Sequence, residues 1–309
     1  MKLSVFVVTY NQEQYIRECL DSIVMQQVEF DYEVIIGEDC STDSTPQICD
    51  EYAERYPFIH VYHHTKNLGL IKNWAFVLRH CTGEYIAMCE GDDYWTDPLK
   101  LQKQVNFMDA HPEYSITEHR YDIFNQEEQT FTPDYLSPIF RGRENVDGID
   151  FDKGNHLDIN IQTMTVVCRA KSVNLDYYTS LPVQGDMTFF YTCLLGGKGY
   201  CLNFKGAVYR RSNQCVYTKK SNEEKHYIGF HLYSKMYLFT QDDVYYPHAI
   251  SHMNFICEDT RKSIMNGRKC NIQYFYETLK FMWAIGYYRS FVKYLLKIVY
   301  WNIKYCIVG

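Results

Sequence analysis

The sequence predicts an α/β fold: a wound, mostly parallel sheet followed by a helical C-terminal extension. Short β-branched and aromatic runs alternate with stretches of helical periodicity through the first two thirds of the 309 residues. Beyond about Ser212 the alternation stops, and aromatic-rich helical patterns take over. We therefore expect one α/β domain over residues 1–212 and a helical region over 213–309.

Leu3–Thr9 is a continuous apolar run, too short for a helix, and reads as a strand buried on both faces. From Gln12 to Gln27, the residues Tyr15, Ile16, Cys19, Leu20, Ile23 and Val24 recur at helical spacing. Tyr32–Gly37 repeats the strand signal, and Pro46 opens a second helix, since proline fits a first helical turn. Ile59–His63 is a third strand and Leu70–Cys81 a third helix; Gly83-Glu84 then turns the chain into a fourth strand, Tyr85–Cys89. Asp97-Pro98 supplies an N-cap and a first-turn proline for a helix with Leu101, Val105 and Met108 on one face. Gln126–Gly154, broken by Pro, Gly and charge, reads as a long substrate-contacting loop. A strand near Thr163–Cys168, a helix starting close to Asp186 and a strand or hairpin over Tyr200–Arg211 complete the domain.

Composition narrows the function. Hydrophobic residues at 46% and charged residues at 22% are ordinary for a globular chain. Aromatics reach 17%, with 29 Tyr, and such rings suit carbohydrate faces and membrane interfaces as well as cores. A net charge of -7 argues against a general nucleic-acid binder. The 12 Cys contain no C-x-x-C pair, which excludes a zinc ribbon or a thioredoxin-type motif. Cys19, Cys89 and Cys168 lie in apolar segments and read as buried thiols in a reducing cytosol. Met1-Lys2 leads straight into a strand, so no signal peptide is expected, and no run of 18 uncharged apolar residues marks a conventional spanning helix.

In a wound parallel sheet, ligands bind beyond the carboxyl ends of the strands. Polar clusters follow three strands here: Thr9-Tyr10-Asn11, Glu38-Asp39 and Glu90-Gly91-Asp92-Asp93. Any one of them alone also reads as helix capping or a turn. Three carboxylates within four residues repel one another unless a cation or protons neutralise them. Without nearby Cys or His clusters, they select a hard ion, Mg2+ or Mn2+, whose shell a bound diphosphate completes.

These segments carry a resemblance. Ser4–Asn11, Glu33–Thr45 and Gly83–Asp93 look like the three signature stretches of family 2 glycosyltransferases, in order and spacing. The resemblance implies the GT-A fold, a Rossmann-like nucleotide-binding sheet, and inverting transfer from a nucleotide-diphosphate sugar, a UDP-sugar for preference. It implies a nucleotide pocket formed by Thr9, Tyr10, Asn11, Glu38 and Asp39, with Asp39 accepting from the base. Glu90-Gly91-Asp92 stands at the family's D-x-D position, with Asp92 the principal metal ligand, Asp93 its neighbour, and Mn2+ or Mg2+ the cofactor. Asp186, in Gln184-Gly185-Asp186-Met187, matches the acid that deprotonates the acceptor hydroxyl; a helix N-terminus keeps such a carboxylate ionised, although Asp there also serves as a cap. Gln162 or Thr163 faces the acceptor. Many relatives have a His after Tyr209-Arg210-Arg211 where this chain has Ser212, which leaves Arg210 or Arg211 to supply charge to the leaving diphosphate.

Glu277 is the last acid in the chain, while Lys280, Arg289, Lys293, Lys297 and Lys304 lie beyond it. On a helix turning about 100° per residue, the last four fall within about 80°, opposite Phe291, Leu295, Ile298 and Val299. We expect an interfacial helix holding the enzyme peripherally on the cytoplasmic face of a membrane, near a glycan or lipid-linked acceptor. The other reading is a helix packed on the chain's own domain. Two rival functions stand beside transfer: a sugar nucleotidylyltransferase, which would want a Gly-rich loop where Thr9-Tyr10-Asn11-Gln12 has none, and a silent scaffold.

Overall fold

The computed structural model describes residues 1–133, 137–143, 145–213, 220–266, 272–293 and 295–296. The chain divides into two compact units, Met1–Asn213 and Gln214–Gly309.

The first unit opens with β1 (Leu3–Thr9), α1 (Ile16–Val24), β2 (Tyr32–Glu38), α2 (Thr45–Arg55), β3 (Ile59–His63), α3 (Leu70–His80) and β4 (Tyr85–Met88). It continues through β5 (Tyr94–Trp95), α4 (Lys100–Ala110), β6 (Tyr114–Asn125), β7 (Thr130–Thr132), α5 (Ser137–Phe140) and β8 (Gly148–Phe151). It ends with β9 (Val167–Arg169), α6 (Leu175–Ser180), α7 (Asp186–Leu194) and β10 (Lys198–Arg211). All ten strands form one sheet, with β3-β2-β1-β4-β9-β6-β10-β5 as its main path. β1 pairs in parallel with β2 and β4, β2 with β3, and β10 with β6. The antiparallel β9 joins the two parallel blocks, so the six strands β1, β2, β3, β4, β6 and β10 run one way.

β1 is buried at every position because strands flank it on both sides and helices cover it. Phe6 meets the Trp74 ring of α3 edge-on at 5.1 Å, and Trp74 in turn meets Phe189 of α7 at 5.6 Å. One apolar column thus ties the first strand to the helix that begins at Asp186.

Several expectations shift. The strand expected from Thr163 begins at Val167, because Thr163–Thr165 coils into a 3-10 turn in which Thr165 donates its N–H and hydroxyl to the Gln162 carbonyl. Asp97 does not cap α4 directly; its carboxylate takes the Leu99 N–H at 2.9 Å and the helix starts at Lys100. The segment read as a structureless loop, Gln126–Gly154, contains β7 and β8, which pair with β6 and β10. β6, twelve residues long, is a strand that the sequence reading did not anticipate.

The second unit contains α8 (Asn222–Thr240), α9 (Tyr245–Met265) and α10 (Ile272–Ala284). α8 opens with a reciprocal capping box between Ser221 and Glu224. Phe230, Ala249, Met253, Ile256, Phe275 and Met282 form its core. Gly286, at φ 72°, ends the turn after α10, and helix resumes over 288–293. Lys280 and Arg289 therefore sit on separate helical pieces. Lys297, Lys304, Ile298 and Val299 lie outside the described residues.

Candidate functional site

Because β1, β2 and β4 are parallel neighbours, their carboxyl ends open onto one rim. Two residues there adopt left-handed backbone that is uncommon without glycine, Asn11 at φ 51° and Cys40 at φ 60°. Both turn the chain sharply off a strand end. The Asn11 side chain then accepts the Thr42 N–H at 2.8 Å, and the Asn11 N–H donates to the Ser41 hydroxyl at 2.9 Å, locking the first two strand exits together.

Glu38 is 2% exposed and faces inward, accepting the Ser41 N–H at 2.7 Å, with His63 Nδ1 at 3.3 Å from its other oxygen. It shapes the rim. Asp39 accepts the N–H groups of Leu68 at 2.6 Å and Gly69 at 2.9 Å, which fastens the turn after β3 to the same rim. Asn67-Leu68-Gly69, absent from the sequence reading, thereby joins the site; its position directly after a parallel strand was the available signal. A carboxylate offers about four lone-pair positions, so Asp39 keeps acceptor capacity after these two bonds. Tyr10, between Thr9 and Asn11 at the end of β1, is 46% exposed.

Glu90, Asp92 and Asp93 bring one carboxylate oxygen each within 4.8 Å of one another. Burial, followed by repulsion from Asp92 and Asp186, pushes the Glu90 carboxyl up to about 8. Burial raises Asp92 as well, and burial with the Asp92 charge holds Asp93 well above the carboxylate range. Asp93 Oδ2, Thr9 Oγ1 and Gln12 Oε1 are all sealed from solvent without a hydrogen-bond partner. A Cβ on Gly91 would lie 2.5 Å from Gln12 Oε1 and 2.9 Å from Thr9 Oγ1, so this glycine lets the acidic turn close onto β1. Three repelling carboxylates and orphaned oxygens, with no Cys or His among them, suit a hard divalent cation.

Asp186 opens α7, and its Oδ1 accepts its neighbour's Met187 N–H at 2.7 Å. It is open to solvent, yet the protein around it raises its carboxyl above the ordinary Asp value. Its charge also contributes to the Glu90 shift, so the two carboxylates belong to one electrostatic field.

Arg210 has another use than the one expected. Only 5% exposed, it donates Nε to the Asp92 carbonyl at 2.8 Å, one terminal nitrogen to Gln126 Oε1 at 2.6 Å and the other to Glu18 Oε2. Its backbone N–H reaches Asp93 Oδ1 at 2.8 Å. Arg210 therefore pins the acidic turn to β10 and α1, with its guanidinium committed internally. Arg211 is exposed, over the Tyr209 ring at 5.8 Å, and Ser212 is 2% exposed. Gln162 and Thr163 lie at the 3-10 turn before β9, with Thr163 6% exposed.

The model of glycosyl transferase family 2 matches residues 4–173. Uncharacterized protein Rv1520 of Mycobacterium tuberculosis is 53% identical over 119 residues, 38% of this chain and 34% of that protein. Poly(ribitol-phosphate) beta-N-acetylglucosaminyltransferase TarS of Staphylococcus aureus is 35% identical over 112 residues, 36% of this chain and 19% of TarS. The matched stretch thus spans about a third or less of these relatives. The crystal structure of TarS 1–349 in complex with UDP-GlcNAc superposes at TM-score 0.59 and 20% identity, covering 83% of this chain and 81% of that one. A mannosyltransferase from Pyrobaculum calidifontis in complex with GDP-Man and Mn2+ gives TM-score 0.51 at 17% identity, covering 83% and 75%. At these identities the structural likeness concerns the fold.

Proposed function

The chain belongs to glycosyl transferase family 2, and from that premise we propose that it moves a sugar, with inversion, from a nucleotide-diphosphate sugar to a hydroxyl of a glycan or lipid-linked acceptor. The observation that carries this reading is the convergence of Glu90, Asp92 and Asp93 on one rim, within the electrostatic reach of Asp186. Residues 1–212 do the chemistry, and the helical remainder places it at a membrane surface, with Arg289 and Lys293 toward anionic lipid.

In this reading Asp92, Asp93 and Glu90 hold Mn2+ or Mg2+. When bound, such a cation supplies charge neutralisation for the departing diphosphate. Asp39, Tyr10, Asn11 and Thr9 seat the nucleoside, and the spare acceptor capacity of Asp39 suits the imide N–H of uracil, which favours a UDP-sugar. The complex of TarS with UDP-GlcNAc agrees with that preference, whereas the Pyrobaculum enzyme was solved with GDP-Man. Asp186 accepts the proton of the acceptor hydroxyl; that oxygen bonds to the anomeric carbon as the bond to the donor phosphate oxygen breaks. One displacement inverts the configuration. Arg210 acts as a positioning residue, holding the Asp92-Asp93 turn where the cluster requires it, and Arg211 supplies positive charge to the leaving diphosphate. Gln162 and Thr163 orient the acceptor.

A panel of nucleotide sugars screened for Mn2+-dependent release of the nucleoside diphosphate tests the proposal. Release from a uridine sugar that requires Mn2+ is the expected result. Formation of a nucleoside triphosphate and sugar 1-phosphate when pyrophosphate is added would instead identify a nucleotidylyltransferase, and no release from any donor would overturn the catalytic reading.

A further inference from the structure

α10 has two contrasting faces. Phe275, Thr278, Phe281 and Met282 are at most 8% exposed and pack into the core of the second unit. On the opposite side, Tyr276 is 54% and Trp283 59% exposed. At about 100° per residue, Tyr276, Lys280 and Trp283 fall within about 60° of one another, so they form a single outward stripe. Trp74 and Trp95 of the first unit are, by contrast, each 2% exposed.

The stripe continues past the break at Gly286. Tyr288, Val292 and Leu296 are 52%, 49% and 63% exposed. Trp283 meets the Tyr288 ring edge-on at 4.9 Å and the Phe291 ring at 5.5 Å, which makes the two helical pieces one surface. Phe291 in turn packs against the core cluster, so this surface is anchored to the unit.

We propose that this surface, centred on Tyr276 and Trp283 and continued by Tyr288, Val292 and Leu296, seats the C-terminal unit in the headgroup layer of an anionic bilayer. The proposal rests on the membrane reading above and moves its centre from the basic tail to the outer face of α10.

Charge complementarity selects lipid over a protein partner. Lys280, Arg289 and Lys293 border the patch, and no acid follows Glu277 in the chain. Lys280 Nζ lies 4.3 Å from the centre of the Tyr276 ring and 3.6 Å from Glu277, so its stem runs along the aromatic face and its ammonium sits at the edge of the patch. Protein interfaces exclude Lys from their centres, whereas Trp and Tyr with flanking cations populate the headgroup level of membranes. An apolar patch of this kind in water is itself a sign of an occupant. Among the described residues no helix is long and apolar enough to cross a membrane, which fits contact in the plane of the surface.

Flotation of the full chain with vesicles of phosphatidylglycerol and phosphatidylcholine, against phosphatidylcholine alone, tests this. Binding is expected on the anionic vesicles, with Tyr276→Ser/Trp283→Ser weakening it at least tenfold. Lys280→Gln/Arg289→Gln/Lys293→Gln is expected to weaken it about a hundredfold on anionic vesicles. In a Trp301→Phe background the emission of Trp283 should shift to the blue as vesicles are added, since Trp74 and Trp95 are already buried. Wild-type binding by the Tyr276→Ser/Trp283→Ser chain would overturn the proposal while leaving the membrane reading intact. Absence of vesicle binding by the wild type would overturn both. A concentration-dependent dimer abolished by Trp283→Ser would show that a second copy covers the patch, and would overturn it too. Transfer to a soluble acceptor should be unchanged in all these variants, which separates this test from that of the catalytic reading.

Discussion

Along the rim of the parallel strands the chain tucks carboxylates into the protein, with Asp93 2% exposed and Glu90 raised to about 8, while along α10 it turns Trp283 and Tyr276 out to water. The first region buries what water would solvate and the second exposes what water rejects. Each arrangement is unfavourable in the isolated chain. Each also points to what relieves it, a cation and a diphosphate in one place and a lipid surface in the other. The two regions teach the same lesson from opposite sides: departures from ordinary burial rules locate partners better than the residues that obey them.

That contrast can be broken at its first region by Asp186→Asn. Asp186 is exposed and its fold contacts are local, so we expect a normally folded protein with unchanged donor affinity and roughly thousandfold slower transfer, the usual scale of a lost general base. A transfer rate within tenfold of wild type would remove Asp186 from catalysis.

A buried acid away from the rim sharpens the comparison. Glu118 on β6 is 0% exposed, and burial pushes it up to about 8, only partly offset by the Cys201 thiol and the Thr165 hydroxyl. With its folded value above the unfolded 4.5, the folded chain holds a proton that the unfolded chain has released. Its contribution is therefore most favourable below about pH 4.5 and is lost as pH rises toward 8. Between pH 5 and 7, Glu118 should make the unfolding free energy fall by about 1.4 kcal/mol per pH unit, and Glu118→Gln should remove that fall. Lys100, lowered to about 7 by burial, acts in the opposite sense and only above that pH. Denaturant titrations at several pH values read the slope, and an unchanged slope would contradict the buried-charge account.

Gly91→Ala probes how tightly the acidic turn closes. The added methyl meets Thr9, fixed on β1, so the turn must retreat, at a cost of about 1–3 kcal/mol and with a rise in donor KM. Unchanged kinetics would mean the turn has room to spare. The smallest effect belongs to the second region: Trp283→Ser should alter stability by no more than about 0.5 kcal/mol, because the side chain is 59% exposed. A larger loss in thermal denaturation would make Trp283 a core residue and erase the contrast.

How much of this was legible depended on the range of the interactions. β1, β2, β3 and β4 announce themselves as apolar runs, and their carboxyl ends follow from the parallel pattern, so the three polar clusters could be placed on one rim from sequence. β6 could not be read, because Ser115, Thr117, Glu118 and His119 are all buried and leave neither an apolar run nor a period-two alternation. Thr163–Thr165 carries β-branched residues that suggest a strand, but hydrogen bonds back to Gln162 win locally. Arg210 or Arg211 is the expected source of charge for the diphosphate because Ser212 stands where relatives carry a His. The Arg210 partners Glu18, Asp92 and Gln126 come from three distant segments, and only the folded chain brings them to one guanidinium.

The central claim is that Glu90, Asp92 and Asp93 converge to grip a cation that binds a nucleoside diphosphate. Calorimetry of uridine diphosphate with the wild-type chain and with Asp92→Asn, each with and without Mn2+, tests it most directly. The account predicts tight binding by the wild type only when Mn2+ is present, and at least tenfold weaker binding by Asp92→Asn. Equal affinity with and without the metal, or an Asp92→Asn protein that binds like the wild type, would contradict it.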